Sequence, residues 1–410
     1  MSDQSTAATV EVGRARAAGS ALEVLWVATK LGLTSFGGPI AHLGYFHDEY
    51  VRRRKWIDEH AYADLVALCQ FAPGPTSSKV GFSLGLLRAG YLGGLAAWVG
   101  FTLPSAVALV LFAYGAAALR GPVGTGVLHG LKLVAVAIVA QAVWGMARNL
   151  CPDRQRASIA GGAALIVLLS TTAFSQLGAI LLGAVAGAVF CRHTGQARAT
   201  HAPITVSRRV GVASLAAFFG LLFGLPLLRG LTDSQAIAMF EAFYRSGALV
   251  FGGGHVVLPL LQGAVVAPGW VSDDAFLAGY GAAQAVPGPL FTFAAYLGAV
   301  MKPAPHGVAG AALGLVAIFL PGLLLHLGTL PFWERFRRRP GTQAVMQGIN
   351  AAVVGLLGAA LYSPIWTSAV QRPQDFAVAL VGFILLIGWK APPVIVVAVS
   401  ALGGAAFAFF

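Results

Sequence analysis

The chain has 410 residues, 57% of them drawn from A, V, I, L, M, F, W, Y and C and only 10% charged; ordinary globular proteins carry about 25% charged residues, so a soluble protein is excluded and a polytopic helical membrane protein is indicated. Lysine and arginine outnumber aspartate and glutamate 27 to 15, but the excess sits in short polar breaks such as Arg52-Arg53-Arg54-Lys55 and Arg335 to Arg339. That is the pattern of cytoplasmic loops beside anionic lipid, so the expected partner is the bilayer and not a nucleic acid.

Residues 1–18 are polar, lack the apolar core and cleavage site of a secretory signal, and read as a disordered cytoplasmic tail. Spans are predicted near 20–36, 91–118, 125–148, 157–172, 176–191, 209–229, 236–262, 305–330, 343–363, 375–389 and 391–409, with interrupted segments near 60–88 and 272–301. Together these make about 11 to 13 crossings or half-crossings, the short members being open to either a full crossing or a re-entrant path.

Residues about 214 to 218 apart repeat one another. Phe36-Gly37-Gly38 answers to Phe251-Gly252-Gly253, Trp56 to Trp270, Gln70-Phe71-Ala72-Pro73-Gly74-Pro75 to Gln284-Ala285-Val286-Pro287-Gly288-Pro289, Pro104 to Pro321 and Gly130 to Gly348. The chain therefore divides into the tail, a first repeat over 19–192, a basic linker and flipping span over 193–230, and a second repeat over 231–410. Equivalent loops carry opposite charge: Arg52 to Lys55 is basic where Pro268 to Asp274 has two acids, while Arg335 to Arg339 is basic where the first half has only Arg120. By the positive-inside rule the repeats are inverted, with the unpaired span 209–229 supplying the flip.

A Pro-Gly-Pro triplet inside a membrane segment removes backbone donors and ends the helix. Breaks are expected at Pro73, Gly74 and Pro75 and at Pro287, Gly288 and Pro289, with Asp58 and Ser272 capping the helices that lead into them. A second symmetric pair is expected at Gly37, Gly38 and Pro39 and at Gly252, Gly253 and Gly254. Broken helices at membrane depth belong where they line a cavity, and their N-termini present free N–H groups to anions. Gly183-x-x-x-Gly187 and Gly310-x-x-x-Gly314 read as helix-packing faces instead.

Charges within apolar segments are functional candidates by default. Lys30 and Arg245 each lie six residues before their Phe-Gly-Gly, which a pseudo-two-fold axis would bring to equivalent positions near the midplane; snorkelling to the interface is the competing reading. Counter-charge is expected from Glu241 beside Arg245 and Glu23 beside Lys30. Lys79 and Lys132 are replaced by Phe293 and Asn350 in the second half, so symmetry supports neither, although one asymmetric cation can bind substrate. Thr76, Ser77, Ser78 and Thr292 offer hydroxyls at the half-helix openings, Gln70 and Gln284 offer amides just before the breaks, and His42 and His255 flank the glycines as anion donors or proton carriers. Structural hydrogen bonding is the rival for each of these.

The three cysteines, Cys69, Cys151 and Cys191, are too few and scattered for a disulfide framework or a zinc site, and the nine histidines show no metal-ligand spacing. The chain has no phosphate-binding loop of the Walker type. No cofactor or metal is expected, and an intramembrane enzyme is disfavoured because no acid pair or Ser-His-Asp pattern falls near the breaks.

The motifs Phe36-Gly37-Gly38-Pro39-Ile40-Ala41-His42, Pro73-Gly74-Pro75-Thr76, Phe251 to Leu260 and Gln284 to Phe291, in order and in two halves, resemble the chromate ion transporter family in its long two-domain form. The resemblance covers residues 20 to 400. It implies a secondary transporter in the bacterial inner membrane that exports chromate and confers chromate resistance, with sulfate as a similar competitor; apart from the resemblance, a homodimer is one option for its assembly. The alternative is a sulfate or other oxyanion porter, including a proton- or cation-coupled importer using Glu23, Glu241, His42 or His255.

Overall fold

The computed structural model describes residues 19–71, 73–118, 121–170, 175–191, 206–251, 254–333 and 340–408, and among them there are helices and no strand. The tail 1–18, Gly252, Gly253, Arg120, most of the linker after 192 and Arg335 to Arg339 lie outside the described residues.

Helix α1 (Ala21–Thr34) begins at Ser20, whose hydroxyl accepts from the Glu23 N–H. It stops at the Phe-Gly-Gly motif, where Gly37 and Gly38 turn the chain with φ of 94° and 78°. The chain returns as α2 (Gly38–Phe46), prolonged by a π-helical turn His47–Arg53. Helix α3 (Glu59–Phe71) starts at Asp58, whose Oδ1 accepts from the Ala61 N–H at 2.9 Å. After the Pro-Gly-Pro triplet α4 (Thr76–Ala118) leaves helical geometry at Ala89 and Gly90, which separates a short limb, 76–88, from a long limb, 91–118. Helices α5 (Gly121–Leu150), α6 (Arg154–Leu169) and α7 (Ser175–Phe190) complete the first half, and α8 (Arg208–Leu231) links it to the second.

The second half repeats the order. Helix α9 (Gln235–Ala248) stops before Phe251; α10 (Val257–Val265) follows a 3-10 turn Gly254–Val256. Helix α11 (Asp273–Ala283) is capped by the Ser272 hydroxyl and stops before its own Pro-Gly-Pro. Helix α12 (Phe293–Val300) follows a 3-10 turn Leu290–Thr292, and α13 (Gly307–Thr329), α14 (Pro340–Ala360), α15 (Pro373–Ile387) and α16 (Pro393–Phe407) close the chain. Gly90 and Gly307, 217 positions apart, share the positive φ (65° and 62°) that turns each short limb into the following long helix.

The eight segments before and after the breaks do not cross the membrane singly. Glu23, near the start of α1, accepts from Arg88 at the end of the short limb of α4 at 3.1 Å and lies 3.6 Å from Arg54 after α2. Arg54 and Arg88 both lie over the Trp56 ring, at 5.8 and 5.3 Å. These contacts gather the start of α1, the end of α2, the start of α3 and the end of the short limb on one face, so both helix pairs enter and return. In the second half Gln262 donates to Asp273 at 3.1 Å and the Lys302 N–H to the Trp270 carbonyl at 3.0 Å, which makes the same statement for α9–α10 and α11–α12.

Crossing about 30 Å of hydrocarbon needs about 20 helical residues. Five helical segments meet that length among the described residues: Thr76–Ala116, whose long limb alone does so, Gly121–Leu150, Arg208–Leu231, Gly307–Phe332 and Gly341–Ala369. The first repeat thus starts and ends on one face, since α4 and α5 cross and return and α6–α7 pack as a hairpin. Helix α8 then crosses once more and the second repeat runs inverted.

Two predicted spans are corrected by this trace. Neither 20–36 nor 236–262 is a single crossing: the first is the entering arm of a re-entrant pair, and the second is α9 and α10 on either side of the break expected at Gly252 to Gly254.

The halves are also interlocked. Gly126 and Gly130 of α5 lie against the backbone at Gly404 and Ser400 of α16, while Gly187 and Gly183 of α7 meet Ala344 and Gly348 of α14, the equivalent contact with the repeats exchanged. Small residues let these backbones approach closely, which is how helices associate in lipid. Gly310 meets the Gly298 carbonyl and Gly314 that of Ala294, joining α13 to α12. The faces left over are apolar and turned to lipid, as at Trp26, Leu169, Phe223, Leu227, Leu231 and Leu402.

Candidate anion-binding breaks

The two Pro-Gly-Pro turns do not sit on their own halves. The Gly74 N–H donates to the Val250 carbonyl at 2.8 Å, and the Gly288 N–H donates to the Ser35 carbonyl at 2.9 Å. Ser35 and Val250 each precede a Phe-Gly-Gly motif, so each repeat's Pro-Gly-Pro turn is pinned to the other repeat's Phe-Gly-Gly break. The packing is reciprocal as well: Gly288 lies against Ser105 and the Phe101 carbonyl, and Gly74 lies against Gly322, the counterpart of Ser105. Gly254 faces Pro39, its own counterpart, which lies 3.7 Å from where a Cβ on Gly254 would stand, as expected near a pseudo-two-fold axis.

Polar groups collect at both crossings although they are buried. At the Gly288–Ser35 crossing, Ser35, His42, Thr102 and Ser105 are buried; His42 packs edge-on to Phe101 at 5.3 Å. The Ser35 and Thr102 hydroxyls and both His42 ring nitrogens have no partner within the protein; His42 lies beside the Ser35 backbone without reaching hydrogen-bond geometry. At the Gly74–Val250 crossing, Lys79 is 0% exposed and its Nζ donates to the Pro73 carbonyl at 3.0 Å. Beside it Ser83 pairs with His326 Nε2 at 2.6 Å, and Cys69 lies against both Ser83 and Lys79. The Ser78 hydroxyl and His326 Nδ1 have no partner. Buried polar groups are nearly always satisfied, so unpaired ones concentrated at two helix breaks signal a site built for something polar.

Lys79 gains weight from what its mirror positions contain. Cys69, Lys79, Ser83 and His326 correspond to Ala283, Phe293, Leu297 and Leu109, all apolar and all buried. The fold therefore tolerates an apolar set in this place, and the polar set on one side is an addition to the scaffold. His326, Ser35, Thr102 and Ser105 were missed by sequence reasoning, and symmetry had counted against Lys79. The signal that could have found them is the departure from the repeat rather than agreement with it.

The two cations favoured by symmetry are placed differently. Lys30 pairs with Glu49 at 3.2 Å and its side chain is 43% exposed; Arg245 pairs with Glu241 at 2.6 Å and is 40% exposed. Glu241 is as expected the partner of Arg245, shared with Arg229 at 3.0 Å. The expected partner of Lys30 is corrected: Glu23 pairs with Arg88 and Arg54, while Glu49 holds Lys30, Arg53 and Arg54. Both cations are neutralised away from the crossings, because each lies six residues, almost two turns, back along its entering arm from the Phe-Gly-Gly break.

The other predicted groups divide. Ser77 and Ser78 are buried at the start of the short limb, and Thr76 is half-buried there. Thr292 occupies the equivalent opening, its hydroxyl donating to the Pro289 carbonyl at 2.7 Å. His255 is engaged by the Tyr280 hydroxyl at 2.7 Å, the structural reading of that histidine. Gln284 is half-buried with its amide nitrogen unpaired, whereas Gln70 is exposed, so the pair is equivalent in sequence but not in environment.

The chromate transporter family profile matches the chain twice, over residues 22–188 and 237–405. The chain belongs to the chromate transporter family. The two matches coincide with the two structural repeats and leave α8 between them. Among relatives, a "Probable chromate transport protein" of Synechococcus elongatus is 27% identical over 386 residues, covering 92% of this chain and 93% of the relative. A "Chromate transport protein" of Pseudomonas aeruginosa is 27% identical over 393 residues (93% and 90%), and one of Cupriavidus metallidurans is 27% identical over 394 residues (92% and 91%). No solved structure matches the chain. Family and architecture together make this a multi-pass membrane protein of the cell membrane.

Proposed function

We propose that this chain exports chromate across the bacterial inner membrane by alternating access, with the dianion held between the two crossed breaks. The observation that carries the reading is the pair of reciprocal bonds, Gly74 to Val250 and Gly288 to Ser35. Short backbone contacts between inverted repeats, centred on interrupted helices, provide a pivot for alternating access.

The anion would meet the N-terminal N–H groups of the short limb at Thr76 and of the turn at Leu290, the Ser78 and Ser35 hydroxyls, and the Lys79 ammonium. Lys79 supplies fixed charge where the half-helix dipole is already positive. His42 and His326 add ring nitrogens that donate or accept as the proton inventory requires. The chain acts on the ion by moving it, and sulfate, of the same shape and charge, competes. In a negative-inside cell a dianion moving outward gains about 2.3 kcal/mol per charge per 100 mV, so about 4.6 kcal/mol favours export without a nucleotide motor.

The test is labelled chromate uptake into everted vesicles under a lumen-positive potential, with sulfate as competitor. Accumulation that collapses with the potential supports the reading. Everted vesicles from expressing cells that take up no more chromate than control vesicles sink it.

A further inference from the structure

A second polar feature lies away from the breaks. A cavity of about 700 Å³ opens where α4 ends and α5 and α11 begin, and Lys132, Asp274, His129, Arg372, Ser272 and Thr125 provide its polar wall. Under the orientation proposed above it faces the outside. We propose that this cavity is an outer oxyanion vestibule, in which Lys132 exchanges the Asp274 carboxylate for a hydrated tetrahedral dianion; the identity of the anion rests on the transport reading.

The chemistry of the wall supports an exchangeable pair. The Lys132 side chain is 11% exposed and stands on α5 among the buried Leu131, Leu133, Val134 and Ala135. A cation in such a shell requires a partner. Its partner is Asp274 at 2.8 Å, whose own side chain is 74% exposed. The carboxylate thus loses little on swinging into water, while the lysine needs an anion in its place. The Arg372 guanidinium lines the same wall.

The neighbouring carboxylate cannot play the part of Asp274. Asp375 is buried and already accepts from His129 at 2.8 Å and from the Gln371 and Arg372 N–H groups at 3.0 Å each. The repeat confirms that the Lys132–Asp274 pair is no requirement of the fold, because the mirror positions hold Asn350 and His60. A vestibule of this kind belongs to one face only.

Two substitutions separate an anion site from a structural ion pair by the sign of their effects. Asp274→Asn frees Lys132 and is expected to lower the apparent KM for chromate at the outer face about fivefold, whereas Lys132→Met raises it about tenfold. Right-side-out vesicles read this face, and everted vesicles are expected to show an inner-face KM within about twofold of the parent for both. A structural pair predicts that both variants lose flux in parallel, and that result overturns the proposal. A readout independent of transport is alkylation of Ala278→Cys on the cavity wall, in a background without the native cysteines. Sulfate, which does not oxidise thiols, slows alkylation with Lys132 present and leaves it unchanged in Lys132→Met. Flux without such protection overturns the vestibule; protection without chromate flux keeps it and overturns the export reading.

Discussion

Replacing Gly288 by alanine tests the crossing directly. Gly288 has φ of +97°, a conformation that costs an L-residue about 1–2 kcal/mol. The new Cβ would sit 2.7 Å from Ser105 Oγ and 3.1 Å from the Phe101 carbonyl oxygen. Of these the hydroxyl can be removed and the carbonyl cannot, and overpacking of this kind costs about 1–3 kcal/mol. The displacement also strains the bond to the Ser35 carbonyl, which is worth about 1 kcal/mol net. Destabilisation of about 3–5 kcal/mol is expected, with a larger loss of chromate flux than of membrane insertion. Adding Ser105→Gly removes the closest contact and should restore about 1 kcal/mol, leaving the backbone cost in place. The assay is thermal unfolding of the four purified proteins of the double-mutant cycle, with vesicle flux alongside. Parental stability and flux for G288A, or no recovery on adding S105G, refutes the crossing as described.

Lys79→Met should fold, because Phe293 occupies the mirror position, and should cut chromate flux about tenfold to hundredfold if the ammonium contributes a charged hydrogen bond. By contrast Lys30→Gln, which breaks an ion pair on a 43% exposed side chain, should change flux less than about fivefold; the reverse ranking, in flux normalised to protein in the membrane, defeats the placement of the site. With the native cysteines removed, Arg53→Cys should be shielded from an impermeant reagent in intact cells and Ser272→Cys labelled; labelling of Ser272→Cys only after lysis contradicts the inverted trace. Asp153 caps α6, and its hydrogen bonds from the Arg156 backbone and guanidinium hold its carboxyl below the ordinary value of 3.8. Since the folded state favours the ionised form, the stabilisation is complete above that value and fades as pH falls through the lowered one. Asp153→Ala should remove it, about 1 kcal/mol at neutral pH, and a difference between the unfolding midpoints of parent and variant that grows as pH falls below 3.8 would contradict this.

Much of the architecture follows from local chemistry and is therefore legible without a structure. Low charge and high apolar content demand membrane helices; Pro73-Gly74-Pro75 and Pro287-Gly288-Pro289 remove the donors a helix needs; Asp58 and Ser272 cap the helices before them; and loop charge sets orientation. The 214 to 218 residue repeat adds the symmetry, because two similar sequences make two similar folds. Tertiary structure decided what depends on contacts between distant residues. Only the packed chain shows that the Pro-Gly-Pro turns reach across to the opposite repeat, that Phe-Gly-Gly converts whole spans into re-entrant arms, and that α5 and α14 each pack on the last helix of the other half. The site moved for the same reason. Symmetry selects Lys30 and Arg245, but electrostatics in a folded membrane protein depends on which carboxylate lies within reach, and Glu49 and Glu241 neutralise them. Lys79 has an apolar mirror, Phe293, that the repeat already displays, but its burial beside Ser83 and a histidine 243 positions beyond that serine depends on contacts that no local pattern in the chain encodes.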